Sequence, residues 1–161
     1  MVEIWYEFAS TYSHVAVHRV EALAARAGVE LAWRVFLLGI PFRRPSQFPR
    51  NGLLAARAAL VAEAEPWIGR FVRSVYRANF VDDQDIADPA RVRALLAAAG
   101  CADPDGLLAR ASSAENKEHL RTRNHAAVAH GIFGAPSFVV ADELFWGNDR
   151  LEDALAWSKR A

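Results

Sequence analysis

The chain has 161 residues, a length that suits one domain with a full-sized core and is short for two. Its 19 basic and 19 acidic residues cancel, so no strong charge points to nucleic acid or a membrane surface as a partner. The lone cysteine, Cys101, excludes an intramolecular disulfide and a CxxC redox pair. No signal-peptide pattern and no bilayer-length apolar run is present, which predicts a cytoplasmic single domain over residues 1–161.

The first 38 residues predict a strand, a helix and a second strand. Residues 2–8 are rich in aromatic and β-branched types, and every second one (2, 4, 6 and 8) is apolar or aromatic, as in a half-buried strand. Hydroxyl residues from Ser10 onward favour a helix start, and Gly28 supplies the stop. Residues 29–38 predict the second strand. A short crossover helix between two strands implies that they are parallel.

The rest of the chain is helical until about residue 130 and then changes pattern. A loop over 39–50 is followed by five predicted helices. Four of them span 51–65, 66–80, 88–100 and 113–130, and a short one begins at 103. Pro66 is the first residue of the second helix. A strand over 137–141, a turn at Asp142 and Glu143, a strand over 144–146 and a final helix from Asn148 follow. The order predicts an α/β fold, βαβ plus ββα, with an all-helical insertion at about 51–130.

Ser10 is the first candidate functional residue. A hydroxyl between a strand and a helix N-terminus can face an anion. Serine also caps helices in all kinds of proteins, so this residue alone favours a capping role over catalysis. The segment therefore carries a functional interpretation only in combination with others.

The Ala135–Pro136 junction before the third strand is the second candidate. Proline at the start of a strand is ordinary, whereas a cis bond there would expose the backbone of Ala135 for pairing with an extended peptide. Residues 146–149 are the third candidate, because Asn148 or Asp149 can cap the last helix or bind the ammonium and carboxylate of an α-amino acid.

These segments together resemble one family. FASTYSHVA (8–16), GIFGAPSFVV (131–140) and ELFWGNDRLE (143–152) are similar to motifs of 2-hydroxychromene-2-carboxylate isomerases, which are relatives of kappa-class glutathione transferases. The resemblance covers nearly the whole chain and implies a thioredoxin-like fold. In that fold, residues 10–13 replace the CxxC of the redox members.

The resemblance implies an enzyme that uses glutathione as cofactor and a small aromatic molecule as substrate, with no metal. Ser10 matches the catalytic serine and contacts glutathione. Ala135, with Pro136 after it, matches the residue that binds glutathione through its backbone. Asn51, more loosely, matches an asparagine near the substrate. The stretch that holds the γ-glutamyl end matches Trp146, Gly147, Asn148 and Asp149.

The implied role of Ser10 is to stabilise the glutathione thiolate. A thiol with a pKa of about 8.5 is only ~3% thiolate at pH 7. Lowering that pKa by about two units needs roughly 2.7 kcal/mol. A hydrogen bond to a charged acceptor contributes about 1.5–3 kcal/mol, and a helix N-terminus roughly 0.3–1 more. A serine hydroxyl at the helix N-terminus is therefore sufficient to lower the thiol pKa by that amount.

Two features leave alternatives open. Relatives carry a long segment between the second strand and the sequence resembling residues 40–42, whereas here residues 37–39 run straight into it. Either part of the substrate-facing wall is lost, or residues of the natural chain are missing. His14 and His18 lie one helical turn apart. They could be two ligands of a metal ion or two ordinary histidines on a helix surface, and the surface interpretation is favoured because the sequence shows no third ligand.

Three further functions share this fold. A disulfide oxidoreductase needs a cysteine at position 10, so the sequence argues against it. A kappa-like glutathione transferase would use the same Ser10 site, and a non-catalytic glutathione- or peptide-binding protein would keep only the binding residues. Related folds often form homodimers, but no separate motif in this sequence specifies one.

Overall fold

The computed structural model describes residues 1–38 and 51–160. The amino-terminal part comprises strand β1 (Val2–Tyr6), helices α1 (Thr11–Val17) and α2 (Val20–Ala27), and strand β2 (Leu31–Val35). Both strands begin or end a few residues inside the predicted bounds. The predicted loop after Leu38 lies outside the described residues.

The insertion between β2 and the third strand is helical throughout its described part. Its helices are α3 (Leu53–Val61), α4 (Ile68–Phe80), α5 (Pro89–Ala99), α6 (Pro104–Ser112) and α7 (Ala114–Ala129). Asp88, Asp103 and Ser113 cap α5, α6 and α7 with their side chains, as the sequence predicts. The sequence predicts Pro66 as the first residue of a helix, but Pro66 precedes α4, which begins at Ile68.

The chain ends with β3 (Ser137–Val140), β4 (Glu143–Trp146), a 3-10 turn over Asn148–Arg150 and helix α8 (Leu151–Trp157). The turn between the strands lies at Ala141 and Asp142, one residue earlier than predicted, because Glu143 already pairs with Val140. Ala141 has a φ of 52°, the left-handed conformation that lets the chain reverse there.

The sheet order is β2-β1-β3-β4. Strands β1 and β2 are parallel, with Val2 opposite Leu31, while β3 is antiparallel to both β1 and β4. This order and the helical insertion confirm the predicted α/β fold with its βαβ and ββα halves. It places β1 directly beside β3, and so brings the two ends of the chain together.

Both faces of the sheet are covered. Val2, Ile4 and Tyr6 point from β1 into the main core, which the helices of both chain halves share. Trp5 points the other way, as alternation along a strand requires, into a smaller cluster that includes Phe36. Among residues 1–38 and 51–160, no helix has the length and apolar character needed to cross a membrane.

The first helical segment is interrupted. The sequence predicts one continuous helix to Gly28, but the helix breaks at His18 and Arg19. The Arg19 N–H donates to the carbonyl of Ala16 at 3.0 Å, so the turn tightens before α2 begins. Neither glycine nor proline marks the break, and Gly28 ends α2 in the predicted left-handed conformation.

Candidate functional site

Ser10 lies at the junction of β1 and α1, and its hydroxyl makes two hydrogen bonds. The oxygen accepts from the backbone N–H of Ser13 at 3.1 Å, which is the predicted capping interaction. The hydroxyl proton is donated to the carbonyl oxygen of Ala135 at 2.7 Å. Only 8% of Ser10 is exposed, so the hydroxyl is held in a defined position.

Helix α4 anchors the segment that leads into Ser10. The buried Tyr76 hydroxyl donates to the carbonyl oxygen of Glu7 at 2.6 Å, and the Asn79 amide donates to that of Phe8 at 3.1 Å. Strand pairing has ended at this point, so side chains supply the donors that the sheet no longer provides. Ser10 is therefore held from α1, from α4 and from the opposite chain end.

The Ala135–Pro136 peptide bond is cis, as the sharper of the two sequence interpretations predicts. The Pro136 carbonyl accepts a hydrogen bond from the Gly147 N–H at 2.9 Å, one residue past the end of β4. Ser137 pairs with Trp146 in the β3–β4 register. Two of the three predicted segments are thus joined through the backbone.

Trp146 lies against the backbone of Gly134. A β-carbon added to Gly134 would lie 2.1 Å from the indole Nε1, so this packing requires a glycine. The Phe133 ring is 4.8 Å from the indole, centroid to centroid, and about half of each aromatic side chain is exposed. The pair forms an aromatic wall beside Ala135, which we call the Phe133–Trp146 wall.

Asn148 and Asp149 lie in the 3-10 turn that leads into α8. The Asp149 carboxylate folds back over Gly147, where a β-carbon would lie 2.5 Å from its Oδ1. The Asn148 side-chain oxygen accepts a hydrogen bond from the Arg19 guanidinium at 3.2 Å. This contact ties the predicted γ-glutamyl stretch to the junction between α1 and α2.

Asn51 is exposed and precedes α3. Its side-chain oxygen accepts from the Leu53 N–H at 2.9 Å, a local turn. The neighbouring Gly52 packs against Phe8, since a β-carbon there would lie 3.1 Å from the Phe8 Cβ. The structure thus places Asn51 beside the segment that leads to Ser10, and within the described residues no hydrogen bond links the two side chains.

Glu7 is the acidic group closest in sequence to Ser10. Burial raises the pKa of its carboxyl from 4.5 to about 7, against the opposing effect of the hydrogen bond that it accepts from the Leu38 N–H. That hydrogen bond is 2.8 Å long. The charge state of this carboxyl therefore changes near neutral pH.

His14 and His18 face each other with ring centroids 4.9 Å apart, and His14 also packs near Tyr76 and Phe80. Desolvation lowers the pKa of both imidazoles. Within the part of the chain that the structure describes, no three side chains of His, Cys, Asp or Glu are grouped as metal ligands. The geometry is that of rings packed on a helix surface.

The fold and the three converging segments define a thioredoxin-fold protein without its redox cysteines. The chain belongs to the family of DSBA-like thioredoxin domains, whose model matches residues 1–156. A curated 2-hydroxychromene-2-carboxylate isomerase from Sphingobium xenophagum is 36% identical over 101 residues, which is 59% of this chain and 48% of that protein. The chain thus spans about half the length of that relative.

Solved structures show the same fold. A 2-hydroxychromene-2-carboxylate isomerase matches with a TM-score of 0.81 and 22% identity, over 99% of this chain and 94% of that one. The cytosolic disulfide reductase DsbM from Pseudomonas aeruginosa, solved with GSH, matches with a TM-score of 0.75 and 15% identity, over 99% and 97%. The family resemblance drawn from the sequence motifs is confirmed.

Three residues of the site region were not predicted from the sequence. Glu7 had a signal, because it is an acid between the two aromatic residues Tyr6 and Phe8. Gly134 had a weaker one, as a glycine directly before the Ala-Pro pair. Arg19 had none, since its contact with Asn148 spans 129 positions of the chain.

Proposed function

We propose that this protein is a glutathione-dependent isomerase of 2-hydroxychromene-2-carboxylate-type aromatic substrates. The observation that carries the proposal is the Ser10 hydroxyl, which is buried, fixed by the Ser13 N–H and directed at the Ala135 carbonyl. Isomerase activity is named for relatives in the family, and the rest of the proposal concerns how this chain would perform it.

The Ser10–Ala135 hydrogen bond marks the place where glutathione would bind. The Ala135 carbonyl can accept the N–H of a bound cysteinyl residue, and the Ser10 proton would then turn to the sulfur. The internal Ser10–Ala135 hydrogen bond is thereby replaced by two hydrogen bonds to the ligand. The one from Ser10 to the thiolate sulfur is charge-assisted. The Ser13 N–H keeps the oxygen in place while the proton reorients.

The polar groups around Ala135 match those of glutathione. Asn148 and Asp149 offer an amide donor and a carboxylate for the α-carboxylate and α-ammonium of the γ-glutamyl residue. The Phe133–Trp146 wall offers apolar area for the tripeptide and for an aromatic substrate. The donors and acceptors present therefore fit the ligand. Asn51 remains a proposed substrate contact, supported by the packing of its neighbour Gly52 against Phe8.

Ser10 acts in this proposal as a hydrogen-bond donor and not as a nucleophile. Its partners in the described structure are the Ser13 N–H and the Ala135 carbonyl, with no histidine or carboxylate among them. A serine hydroxyl without a base is a poor nucleophile. Bound glutathione would supply the nucleophile, a thiolate that adds reversibly to a conjugated substrate.

The hydroxyl, more than the helix, would lower the thiol pKa. Helix α1 has only seven residues because of the break at His18 and Arg19, so its dipole is smaller than a helix reaching Gly28 would provide. The roughly 2.7 kcal/mol needed for a shift of two units must come mainly from the Ser10 hydrogen bond. Reliance on a free thiol suits a reducing compartment such as the cytoplasm.

Glutathione stoichiometry tests the proposal. An isomerase regenerates glutathione each turnover, a kappa-like transferase consumes it, and a non-catalytic binding protein does neither. We expect a thermal shift with millimolar glutathione, followed by an absorbance change of 2-hydroxychromene-2-carboxylate that requires glutathione in catalytic amounts. Stoichiometric loss of glutathione with an electrophile would instead establish a transferase, and no thermal shift would overturn glutathione binding.

A further inference from the structure

Arg19 connects the break in the first helical segment to the predicted γ-glutamyl stretch. Its Nη1 donates to the Asn148 Oδ1 at 3.2 Å, and its Nη2 forms an ion pair with Glu152 in the first turn of α8. Because the helix breaks at this point, the arginine is directed toward the 3-10 turn and α8. The 3-10 turn and the start of α8, which are continuous in sequence, therefore hold a guanidinium from the other end of the chain.

This contact decides which way the Asn148 amide faces. A guanidinium carries only donors, so it can pair with the amide oxygen and not with the amide nitrogen. The Nδ2 group, with its two N–H donors, must then face away from Arg19. Without the guanidinium, the oxygen and nitrogen of the amide could exchange places at little cost.

We propose that Arg19 is a positioning residue that fixes the Asn148 amide with its N–H donors toward the α-carboxylate of the γ-glutamyl group. The inference rests on the proposed glutathione function and assigns a role within the same site. Arg19 acts through Asn148, and Glu152 holds the guanidinium from its other side. A flipped amide would present an oxygen to the carboxylate, and the two would repel.

The test compares two ligands that differ in one group. Glutathione carries the α-carboxylate, and 4-aminobutyryl-cysteinylglycine lacks only that group. Calorimetry should show that Arg19→Met binds glutathione with a Kd about tenfold larger than that of the wild-type protein. This is the size expected for the loss of one charge-assisted hydrogen bond. The Kd of the truncated ligand should change less than twofold, and Arg19→Lys should restore part of the loss.

Two further variants separate positioning from other roles. Arg26→Met removes an exposed positive charge from α2, away from Asn148, and should leave both affinities unchanged. In an Asn148→Ala background, Arg19→Met should have no further effect on glutathione binding. An additional loss there would mean that Arg19 touches the ligand directly, which overturns the positioning role.

The remaining outcomes are also decisive. If Arg19→Met weakens both ligands equally, the residue has a structural role only, and the inference is wrong while glutathione binding stands. If glutathione binding is unchanged in Arg19→Met, the inference is likewise wrong. If the wild-type protein binds neither ligand, the proposed function is wrong, and the role of Arg19 is wrong with it. Exposed ion pairs contribute little to stability, so Arg19→Met is expected to fold and its unfolding midpoint checks this.

Discussion

The Ser10 hydroxyl donates a hydrogen bond to the carbonyl oxygen of Ala135 across 2.7 Å. These residues lie at opposite ends of the chain and are brought together because β1 pairs with β3. The bond uses the only proton of the Ser10 hydroxyl. It also occupies the Ala135 carbonyl, which an extended peptide would need as an acceptor. A ligand at this place has to replace both partners at once.

Replacing Ser10 with alanine tests that relationship. Ser10→Ala should still bind glutathione, while the pKa of the bound thiol rises by about two units, because the charged sulfur loses its hydrogen bond. Thiolate absorbance during a pH titration measures this pKa. Loss of the helix cap should also cost about 1 kcal/mol of unfolding free energy.

Ser113→Ala is the matched control for that variant. The Ser113 hydroxyl oxygen caps α7 by accepting a hydrogen bond from the Asn116 N–H at 3.1 Å, so its removal has the same local cost. The pKa of the bound thiol should not change. An unchanged thiolate titration in Ser10→Ala itself would refute the role of the hydroxyl.

A methyl group at position 134 should displace the Trp146 indole. The β-carbon of Gly134→Ala would lie 2.1 Å from the indole Nε1, and the half-exposed ring can swing outward. We expect weaker glutathione binding with less than about 1 kcal/mol lost in unfolding free energy, since no backbone has to move. Indole N–H signals in NMR spectra, assigned with Trp146→Phe, report the displacement.

Trp146→Ala serves as the control for the affinity change. With no ring at position 146 the added methyl group meets no clash there, so Gly134→Ala should weaken glutathione binding much less in that background. If the Trp146 indole signal stays in place in Gly134→Ala, the packing described for the Phe133–Trp146 wall is wrong.

Glu7→Gln should change how stability depends on pH. The carboxyl pKa is about 7 in the folded state against 4.5 as the reference value, so the folded state binds more protons between these values. The contribution of Glu7 to stability is present at low pH and is lost as pH rises through that window. The loss is at most about 3 kcal/mol, and less where solvent reaches the group.

Glutamine stays neutral and can still accept the hydrogen bond from the Leu38 N–H. Glu7→Gln should therefore match wild type near pH 4.5 and be more stable at pH 8. Urea unfolding at both pH values measures the two free energies. A stability difference that does not change with pH would show that Glu7 titrates normally.

Tyr76→Phe should loosen the segment before Ser10. The change removes the hydroxyl that donates to the Glu7 carbonyl at 2.6 Å and leaves that carbonyl without this partner. We expect a loss of about 1–2 kcal/mol in unfolding free energy. Tyr12→Phe is the control, because Tyr12 is 73% exposed and should contribute almost nothing. Equal effects of the two variants would contradict the anchoring role.

Local signals in the sequence determined the order of the elements and several of their ends. Asp88, Asp103 and Ser113 cap helices, and Gly28 and Gly100 end them, because a side-chain acceptor or a left-handed glycine acts on its own neighbours. The break at His18 and Arg19 had no such signal. Arg19, at that break, contacts Asn148 and Glu152, which lie at the other end of the chain.

The sequence by itself also determined which segments belong to the site, since the three motifs around Ser10, Ala135 and Trp146 resemble one family. Only the tertiary structure decided how they meet. The sheet order β2-β1-β3-β4 brings Ser10 to Ala135 over 125 positions, and helix packing brings Arg19 to Asn148. Such distant contacts depend on the whole core, because no short segment carries the information on which partner it will pack against.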